Sequence, residues 1–265
     1  MSIEVRSYTD PACPWSWGCE PAIRRLMWEL GDQLRFRWVM GGLEREYGDG
    51  PDVAAEQMAR WLEVTAETGM PTDPRVWTQT PIGSTYPACL AVKAAAEQGP
   101  DLEYVYLRRL REGIMVERRK LDHPDALVAV AGEAGLDVAR FRIDLGSNAI
   151  TEAFAADLDE VRDGERTELP SLAFLGEDGQ RHAVTGPHPY EAYRDTALAA
   201  GAPPPEGVRP QALEVVARFG RATTRELEEV TGHARVPLQA ELWSAAREWR
   251  LRPVPVLGGT MWEPA

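Results

Sequence analysis

The sequence predicts an α/β protein: a strand–helix–strand unit, a long helical insertion, a β-hairpin with a following helix, and a small C-terminal module. Three observations carry that prediction. Residues 3–40 contain a β-prone run, a helix that opens with Pro14, and a second run in which apolar and charged residues alternate. Residues 44–163 show only helical patterns. Residues 170–184 contain two short β-prone runs around a glycine-containing turn, the pattern of a hairpin.

The first unit is predicted to be a parallel βαβ arrangement. Residues 3–8 form its first strand, and residues 33–40 form its second, which ends at a pair of glycines. The helix between them is expected over residues 14–30. Pro21 lies inside that helix and should kink it or remove one backbone hydrogen bond. Two strands joined through a helix at this spacing normally pair in parallel.

The middle of the chain is predicted to be an all-helical insertion, with a Pro- and Thr-rich loop at residues 69–85. Its helices are expected over residues 51–68, 87–98, 101–116, 124–134, 137–145 and 147–161. The hairpin follows, with strands at 170–175 and 180–184 around a turn at 176–179, and a helix at 189–200 completes a ββα unit.

A stiff, polar linker at residues 201–207 predicts a boundary before a separate C-terminal module. Helices are expected at 211–219, 223–230 and 238–250, then strands at 251–258 and 259–263, which suggests a winged-helix-like unit. Thr223 and Glu226 form a capping-box pattern. The acidic run 226–229 favours docking of this module onto the main domain over DNA binding. The predicted domains are therefore a main domain of residues 1–43 and 164–200, the helical insertion of residues 44–163, and the C-terminal module of residues 201–265.

Composition excludes several classes of function. The chain has 265 residues and a formal net charge of −13, which argues against binding to nucleic-acid phosphates. We find no apolar run of membrane-spanning length and no secretory signal pattern. Three cysteines do not make a structural disulfide framework. No metal-ligand spacing is evident, so we expect no metal, no membrane partner, and a reducing cytoplasmic location.

Cys13 is the candidate reactive residue. It ends a short Asp-Pro turn after the first strand and stands directly before Pro14, a favoured first residue of a helix. Its sulfur should therefore meet the free N–H groups and the positive end of that helix, which would lower the pKa of the thiol. Ser16 stands where a dithiol enzyme would carry its second cysteine. This arrangement predicts a site for thiol chemistry with a single sulfur.

The order of elements resembles the thioredoxin fold (βαβ–ββα) with a DsbA-type helical insertion. One motif resembles the Cys-Pro-Trp-Cys segment of cytosolic DsbA-family and FrnE-like oxidoreductases: Asp10-Pro11-Ala12-Cys13-Pro14-Trp15-Ser16-Trp17. Two further segments are similar to a subgroup that includes the thioredoxin-fold adaptor of the Clp protease: Trp17-Gly18-Cys19-Glu20-Pro21 and Ala94-Ala95-Ala96-Glu97-Gln98-Gly99. The resemblance covers about residues 1–200 and excludes the C-terminal module.

The resemblance implies a cis-proline facing the reactive cysteine, and Leu169–Pro170 at the start of the first hairpin strand is our candidate for that bond. An ordinary trans-proline at the start of a strand is the alternative. The backbone of Leu169 would pair with an extended substrate, and Pro170 would pack near the Cys13 sulfur. Pro14 and Trp15 complete the expected substrate-binding set, with Trp15 exposed and Trp17 in the core.

Ser16 changes the expected chemistry because it cannot attack a mixed disulfide as a second thiol would. Its hydroxyl can still donate to the Cys13 thiolate. A mixed disulfide at Cys13 should therefore persist until an outside thiol such as glutathione or mycothiol resolves it. Cys19 is an alternative resolver, but a rise of about 1.5 Å per residue puts its Cα some 9 Å away, beyond the roughly 7 Å that a disulfide allows. Cys89 could instead approach from the insertion.

The sequence favours a DsbA-like thiol–disulfide oxidoreductase or isomerase acting through Cys13 in a Cys-Pro-Trp-Ser motif. Its partner would be a protein or low-molecular-weight thiol or disulfide. One alternative is a non-catalytic protein-binding adaptor of thioredoxin fold. Another is a glutathione transferase or isomerase similar to the kappa class or to 2-hydroxychromene-2-carboxylate isomerases, which place a serine at the position of Cys13. Whether the chain forms a homodimer is left open.

Overall fold

A computed structural model describes residues 2–48, 50–163, 168–176, 179–205 and 207–265. Three predicted features lie wholly or partly outside these ranges: the start of the 164–200 segment at residues 164–167, the hairpin turn at 176–179, and part of the linker at 201–207. None of the described helices is long and apolar enough to cross a lipid bilayer.

The central sheet has four strands in the order β2-β1-β3-β4. They are β1 (Ile3–Thr9), β2 (Leu34–Met40), β3 (Ser171–Leu175) and β4 (Arg181–Thr185). β1 pairs with β2 in parallel, with β3 antiparallel to β1 and β4 antiparallel to β3. The predicted βαβ and hairpin units are therefore confirmed, and they share one sheet with β1 and β3 at its centre.

The helix after β1 is broken in two, as α1 (Pro14–Gly18) and α2 (Glu20–Leu30). The expected continuous helix over residues 14–30 was wrong. Pro21 has no N–H to donate to the preceding turn, so the helix stops at Cys19 and begins again with Pro21 in its first turn. The predicted disruption by Pro21 is thus present as a full break.

Residues 50–163 of the insertion form helices joined by loops and no strand, as predicted. Its helices are α3 (Pro51–Thr68), α4 (Val76–Gln79), α5 (Tyr86–Ala96), α6 (Pro100–Met115), α7 (Pro124–Glu133), α8 (Val138–Leu145) and α9 (Asn148–Asp163). The short α4 lies in a segment predicted to be a loop. One apolar core joins the sheet and the insertion, and it includes the fully buried indoles of Trp17, Trp38 and Trp61.

After α10 (Tyr190–Ala199), the C-terminal module contains three helices and a small sheet of order β5-β7-β6. Its elements are α11 (Ala212–Phe219), β5 (Ala222–Thr223), α12 (Thr224–Thr231), α13 (Arg235–Arg247), β6 (Leu251–Val256) and β7 (Gly259–Pro264). β5 was not predicted, and α13 begins three residues before its expected start. The module has its own apolar cluster. Its assignment to the winged-helix type and the domain boundaries stay predictions.

The module docks on the main domain through α12, which packs against α2. The capping box predicted at Thr223 is present, and its Glu226 carboxylate also accepts two hydrogen bonds from Arg108, at 2.8 and 3.0 Å. Arg24 of α2 lies 3.1 Å from the same carboxylate. Glu229 pairs with Arg25 at 2.9 Å. The predicted docking of this acidic run onto the main domain is confirmed.

Candidate active site

Cys13 lies at the N-terminal end of α1, where the sequence predicts it. The preceding turn is held by Asp10, whose backbone carbonyl accepts from Cys13 N–H at 3.2 Å and whose carboxylate accepts from Ala12 N–H at 2.7 Å. The Cys13 Sγ accepts a hydrogen bond from the Ser16 N–H at 3.4 Å, so the sulfur caps the helix. The turn and the cap together fix the position of the sulfur.

The bond between Leu169 and Pro170 is cis, as the resemblance implied. The Cys13 thiol points at the Leu169 carbonyl oxygen across 3.8 Å. The fold thus brings together two segments that lie 156 positions apart in the chain. Pro170 and Pro14 are buried, whereas Leu169 is partly exposed at the mouth of the site.

Burial changes the electrostatics expected for Cys13, whose side chain is almost fully enclosed at 2% exposure. This burial is the largest influence and raises the pKa of the thiol above its ordinary value; the Ser16 hydroxyl and N–H oppose the rise. Asp10 adds to the rise and Arg111 reduces it. The predicted lowering of the Cys13 pKa was therefore wrong: α1 has only five residues, so its short dipole does not offset the loss of water around the sulfur.

A buried polar cluster behind the turn was missed by sequence reasoning. Asp10 Oδ2 accepts from the Thr85 hydroxyl at 2.7 Å, the Leu43 N–H at 2.8 Å and the Cys89 thiol at 3.2 Å. These contacts tie the Cys13 turn to α5 of the insertion. The signal available in the sequence was an aspartate in the same turn as the cysteine, but its partners are more than 30 positions away and could not be identified.

All three cysteines are free. The Cys19 Sγ accepts a 3.6 Å hydrogen bond from the Tyr193 hydroxyl, and its burial raises the pKa of that thiol to about 11. Cys89 is fully enclosed, and burial together with Asp10 raises its pKa well above the ordinary value. Burial therefore disfavours the thiolate form of both cysteines. Whether either of them resolves a disulfide at Cys13 stays a prediction.

The two tryptophans of the motif have different environments. Trp17 is fully buried, donates through Nε1 to the Pro71 carbonyl at 2.8 Å, and lies under the Arg108 guanidinium at 4.3 Å. Trp15 is half-buried and lines an open groove of about 440 Å³ with Cys19, Tyr190 and the C-terminal module's Arg225. Trp17 is a core residue, as predicted, and Trp15 is less exposed than expected but is placed to contact a bound molecule.

The site contains no evident metal centre. Among the described residues, no group of three or more His, Cys, Asp or Glu side chains is placed to hold a metal ion.

Comparison with known proteins adds a family and several relatives. A family model described as Thioredoxin matches residues 7–195. The chain is 33% identical to the ClpXP adapter protein SpxH of Halalkalibacterium halodurans over 72% of its own length and 65% of that relative, just under two thirds of it. It is 25% identical to the SpxH of Shouchella clausii, and this match spans 98% of the chain and 88% of the relative.

Among solved structures, the chain is similar to the cytosolic disulfide reductase DsbM of Pseudomonas aeruginosa. The TM-score is 0.61 at 21% identity, and the match covers 74% of this chain and 98% of DsbM. At this identity the likeness shows a shared fold. The match leaves about a quarter of this chain uncovered.

Proposed function

Since this chain belongs to the thioredoxin family, we propose that it carries out thiol–disulfide exchange through the single sulfur of Cys13. One observation supports this most directly. The sulfur is fixed at a helix start by the Ser16 N–H and faces the carbonyl that precedes cis-Pro170. That carbonyl and the adjacent backbone offer an extended disulfide substrate a place to pair beside the sulfur.

The proposed reaction begins when Cys13 loses its proton to solvent. The Cys13 thiolate attacks one sulfur of a substrate disulfide, a new S–S bond forms to Cys13, and the other substrate sulfur leaves as a thiolate. Ser16 has no thiol with which to break the new bond. Glutathione or mycothiol, as an external thiolate, would then attack the substrate sulfur and release Cys13 as the leaving group.

The raised pKa of Cys13 has two consequences for this reaction. At a given pH the thiolate fraction is smaller than for an ordinary thiol, which slows the first attack. A thiol of high pKa is also a poor leaving group, which slows the resolving step. Both effects favour a mixed disulfide that forms slowly and lasts long, and they favour a reductase or isomerase over a strong oxidant.

Trapping of the mixed disulfide tests this proposal. A variant with Cys19→Ser and Cys89→Ser is incubated with glutathione disulfide, and its intact mass is followed over time. We expect one glutathione adduct per chain, removed by added reduced glutathione. The matched control carries Cys13→Ser and keeps Cys19 and Cys89. The proposal would be contradicted if the control formed as much glutathione adduct as the first variant. It would also be contradicted if Cys13 formed no adduct in the folded chain while the unfolded chain reacted completely.

A second function is favoured by the extent of the match to the adapter proteins. The Shouchella clausii SpxH aligns with 98% of this chain and so includes the C-terminal module, whereas the DsbM structure covers 74%. As the second candidate, we propose an adaptor that presents a bound protein to a ClpXP-type protease. Its test is the binding of purified ClpX to the immobilised full chain.

The two functions differ in their dependence on Cys13. An adaptor should bind ClpX equally well in the native chain and in the Cys13→Ser variant. Absence of ClpX binding, together with a glutathione adduct on Cys13, would leave the exchange activity alone. Binding of ClpX without any adduct would leave the adaptor function alone.

A further inference from the structure

A second concave site lies away from Cys13, between the edge strand β2, helix α6 and the C-terminal module. It is a cleft of about 670 Å³, within the range of about 300–1,000 Å³ typical of small-molecule sites. None of its lining comes from the Cys13 turn or the Leu169–Pro170 segment. Pockets often form where two domains meet, and this one has Phe219 and Arg221 of the module on one wall.

The cleft contains a ladder of flat aromatic rings. The rings of Phe36 and Trp38 stack with centroids 5.4 Å apart and planes 20° apart, and Trp38 stacks on Tyr104 at 5.3 Å and 16°. Alternation along β2 puts Phe36 and Trp38 on the same face of the sheet. Trp38 and Tyr104 are buried, while Phe36 is partly exposed and lines the cleft with Val105. A planar ring can therefore pack against Phe36 as an extension of the ladder.

The charged lining is unusual for a chain whose net charge is −13. Five arginines and four carboxylates line the cleft: Arg35, Arg108, Arg109, Arg218 and Arg221, with Asp32, Asp101, Glu112 and Glu133. Arg108, Arg109 and Arg221 all pair with Glu112. Glu117, Glu226 and Glu263, which do not line the cleft, also pair with these three arginines, so their charges are neutralised.

Arg218 is the cation left for a ligand. Its guanidinium donates to the Met27 carbonyl at 2.9 Å and lies 5.1 Å from the Trp28 ring centroid and 5.3 Å from that of Phe219. Among the described residues, ion pairs are formed by the neighbouring Arg209 and Arg221 but none joins Arg218 to a carboxylate. Its side chain is exposed at the rim, so the remaining donors can reach an acidic group in the cleft.

We propose that this cleft binds a small planar aromatic molecule that carries one negative charge. The ring lies against Phe36, and the acidic group lies at Arg218. A cation would be repelled by the Arg218 guanidinium, and a neutral hydrocarbon would leave the Arg218 donors unused. A carboxylate, a sulfonate or a phosphate would satisfy the same donors, so the class is defined by the flat ring and the single acidic group.

Ligand binding to the full chain tests this proposal, with 8-anilinonaphthalene-1-sulfonate as a fluorescent probe and 2-naphthoate as its competitor. We expect saturable binding of one probe molecule per chain. Val105→Glu places a carboxylate in the cleft and should weaken binding at least tenfold. The matched control is Ile143→Glu on α8, at an exposed position outside the cleft, and it should leave binding unchanged.

The role of Arg218 is tested with a pair of ligands that differ only in charge. Arg218→Gln should weaken 2-naphthoate about tenfold, the effect of losing one charged hydrogen bond, and leave neutral 2-naphthalenemethanol unchanged. Arg194→Gln, at a partly exposed arginine of α10 outside the cleft, is the matched control. Far-UV circular dichroism confirms that each variant is folded.

Three results would overturn the proposal: no saturable probe binding, equal weakening by Val105→Glu and Ile143→Glu, or an Arg218→Gln effect equal for the acid and the alcohol. The first two would mean that the cleft is not the binding site, and the third would mean that charge plays no part. The Cys13→Ser variant should keep full probe binding, so these results are independent of the exchange activity.

Discussion

Replacing Glu226 by Gln should destabilise the protein strongly, because this carboxylate belongs to a buried cluster of balanced charge. The cluster contains three carboxylates and three guanidinium groups, each with at most 5% of its side chain exposed: Glu20, Glu112, Glu226, Arg24, Arg108 and Arg111. Glu226 makes the shortest contacts of the cluster's carboxylates with Arg108, at 2.8 Å, and with Arg24, at 3.1 Å, where Glu20 lies 3.6 and 3.8 Å from the same two groups. Its removal leaves one uncompensated positive charge in the interior.

The size of the effect follows from that geometry. Removing one partner of a buried ion pair costs about 3–5 kcal/mol, since the remaining charge keeps its desolvation penalty. Gln retains part of the hydrogen bonding, so we expect about 3 kcal/mol. For a chain of this size, that loss corresponds to a fall in Tm of about 6–12 °C.

Urea unfolding at pH 7, followed by tryptophan fluorescence and far-UV circular dichroism, measures this loss. The matched control is Glu228→Gln on the same helix, because the partner of Glu228 is the largely exposed Arg235 and such surface pairs contribute about 1 kcal/mol or less. If the two substitutions destabilised the protein equally, the argument from buried charge would be refuted.

The pH dependence gives a second check on the same cluster. Burial alone would raise the pKa of Glu226, but Arg108, Arg24 and the Thr223 cap hold it below the ordinary value. A carboxyl with a lowered folded-state pKa stabilises the protein above its unfolded pKa of about 4.3, and this contribution is lost as pH falls through the folded value. The stability difference between native chain and Glu226→Gln should therefore be full at neutral pH and shrink in acid.

Three further predictions concern the cysteine turn. In a Cys19→Ser, Cys89→Ser background, iodoacetamide should alkylate Cys13 slowly at pH 7. The midpoint of the alkylation rate against pH should lie above the ordinary thiol pKa of about 8.5, and a midpoint below pH 7 would contradict the effect of burial. Asp10→Asn removes a charge that raises the Cys13 pKa, so the same profile should move to lower pH, and no movement would exclude that electrostatic effect. Ser16→Cys supplies a resolving thiol, so the glutathione adduct should no longer accumulate when followed by intact mass, whereas Ser16→Ala should leave it in place.

Periodicity and turn chemistry were sufficient to predict most of the secondary structure. The sheet strands, the helical insertion and the α12 capping box depend on neighbouring residues, so local patterns identify them. The same reasoning failed where local and distant forces compete. Trp15 of α1 was expected to be exposed, yet it is half-buried in a groove that Cys19 and Tyr190 also line. Which face of a helix packs inward depends on what lies beside it.

The same distinction between local and distant effects applies to the candidate site. The sequence by itself determined the thiol at a helix start, the serine three residues later, and the proline before the hairpin strand, because each is a short segment with its own geometry. Only the tertiary structure decided that Cys13 is enclosed, that Asp10 bonds Thr85 and Cys89, and that Glu226 meets Arg108. Segments that are distant in the chain exclude water from these groups and pair their charges. The pKa of each group depends on those surroundings, so it cannot be read from the neighbouring residues.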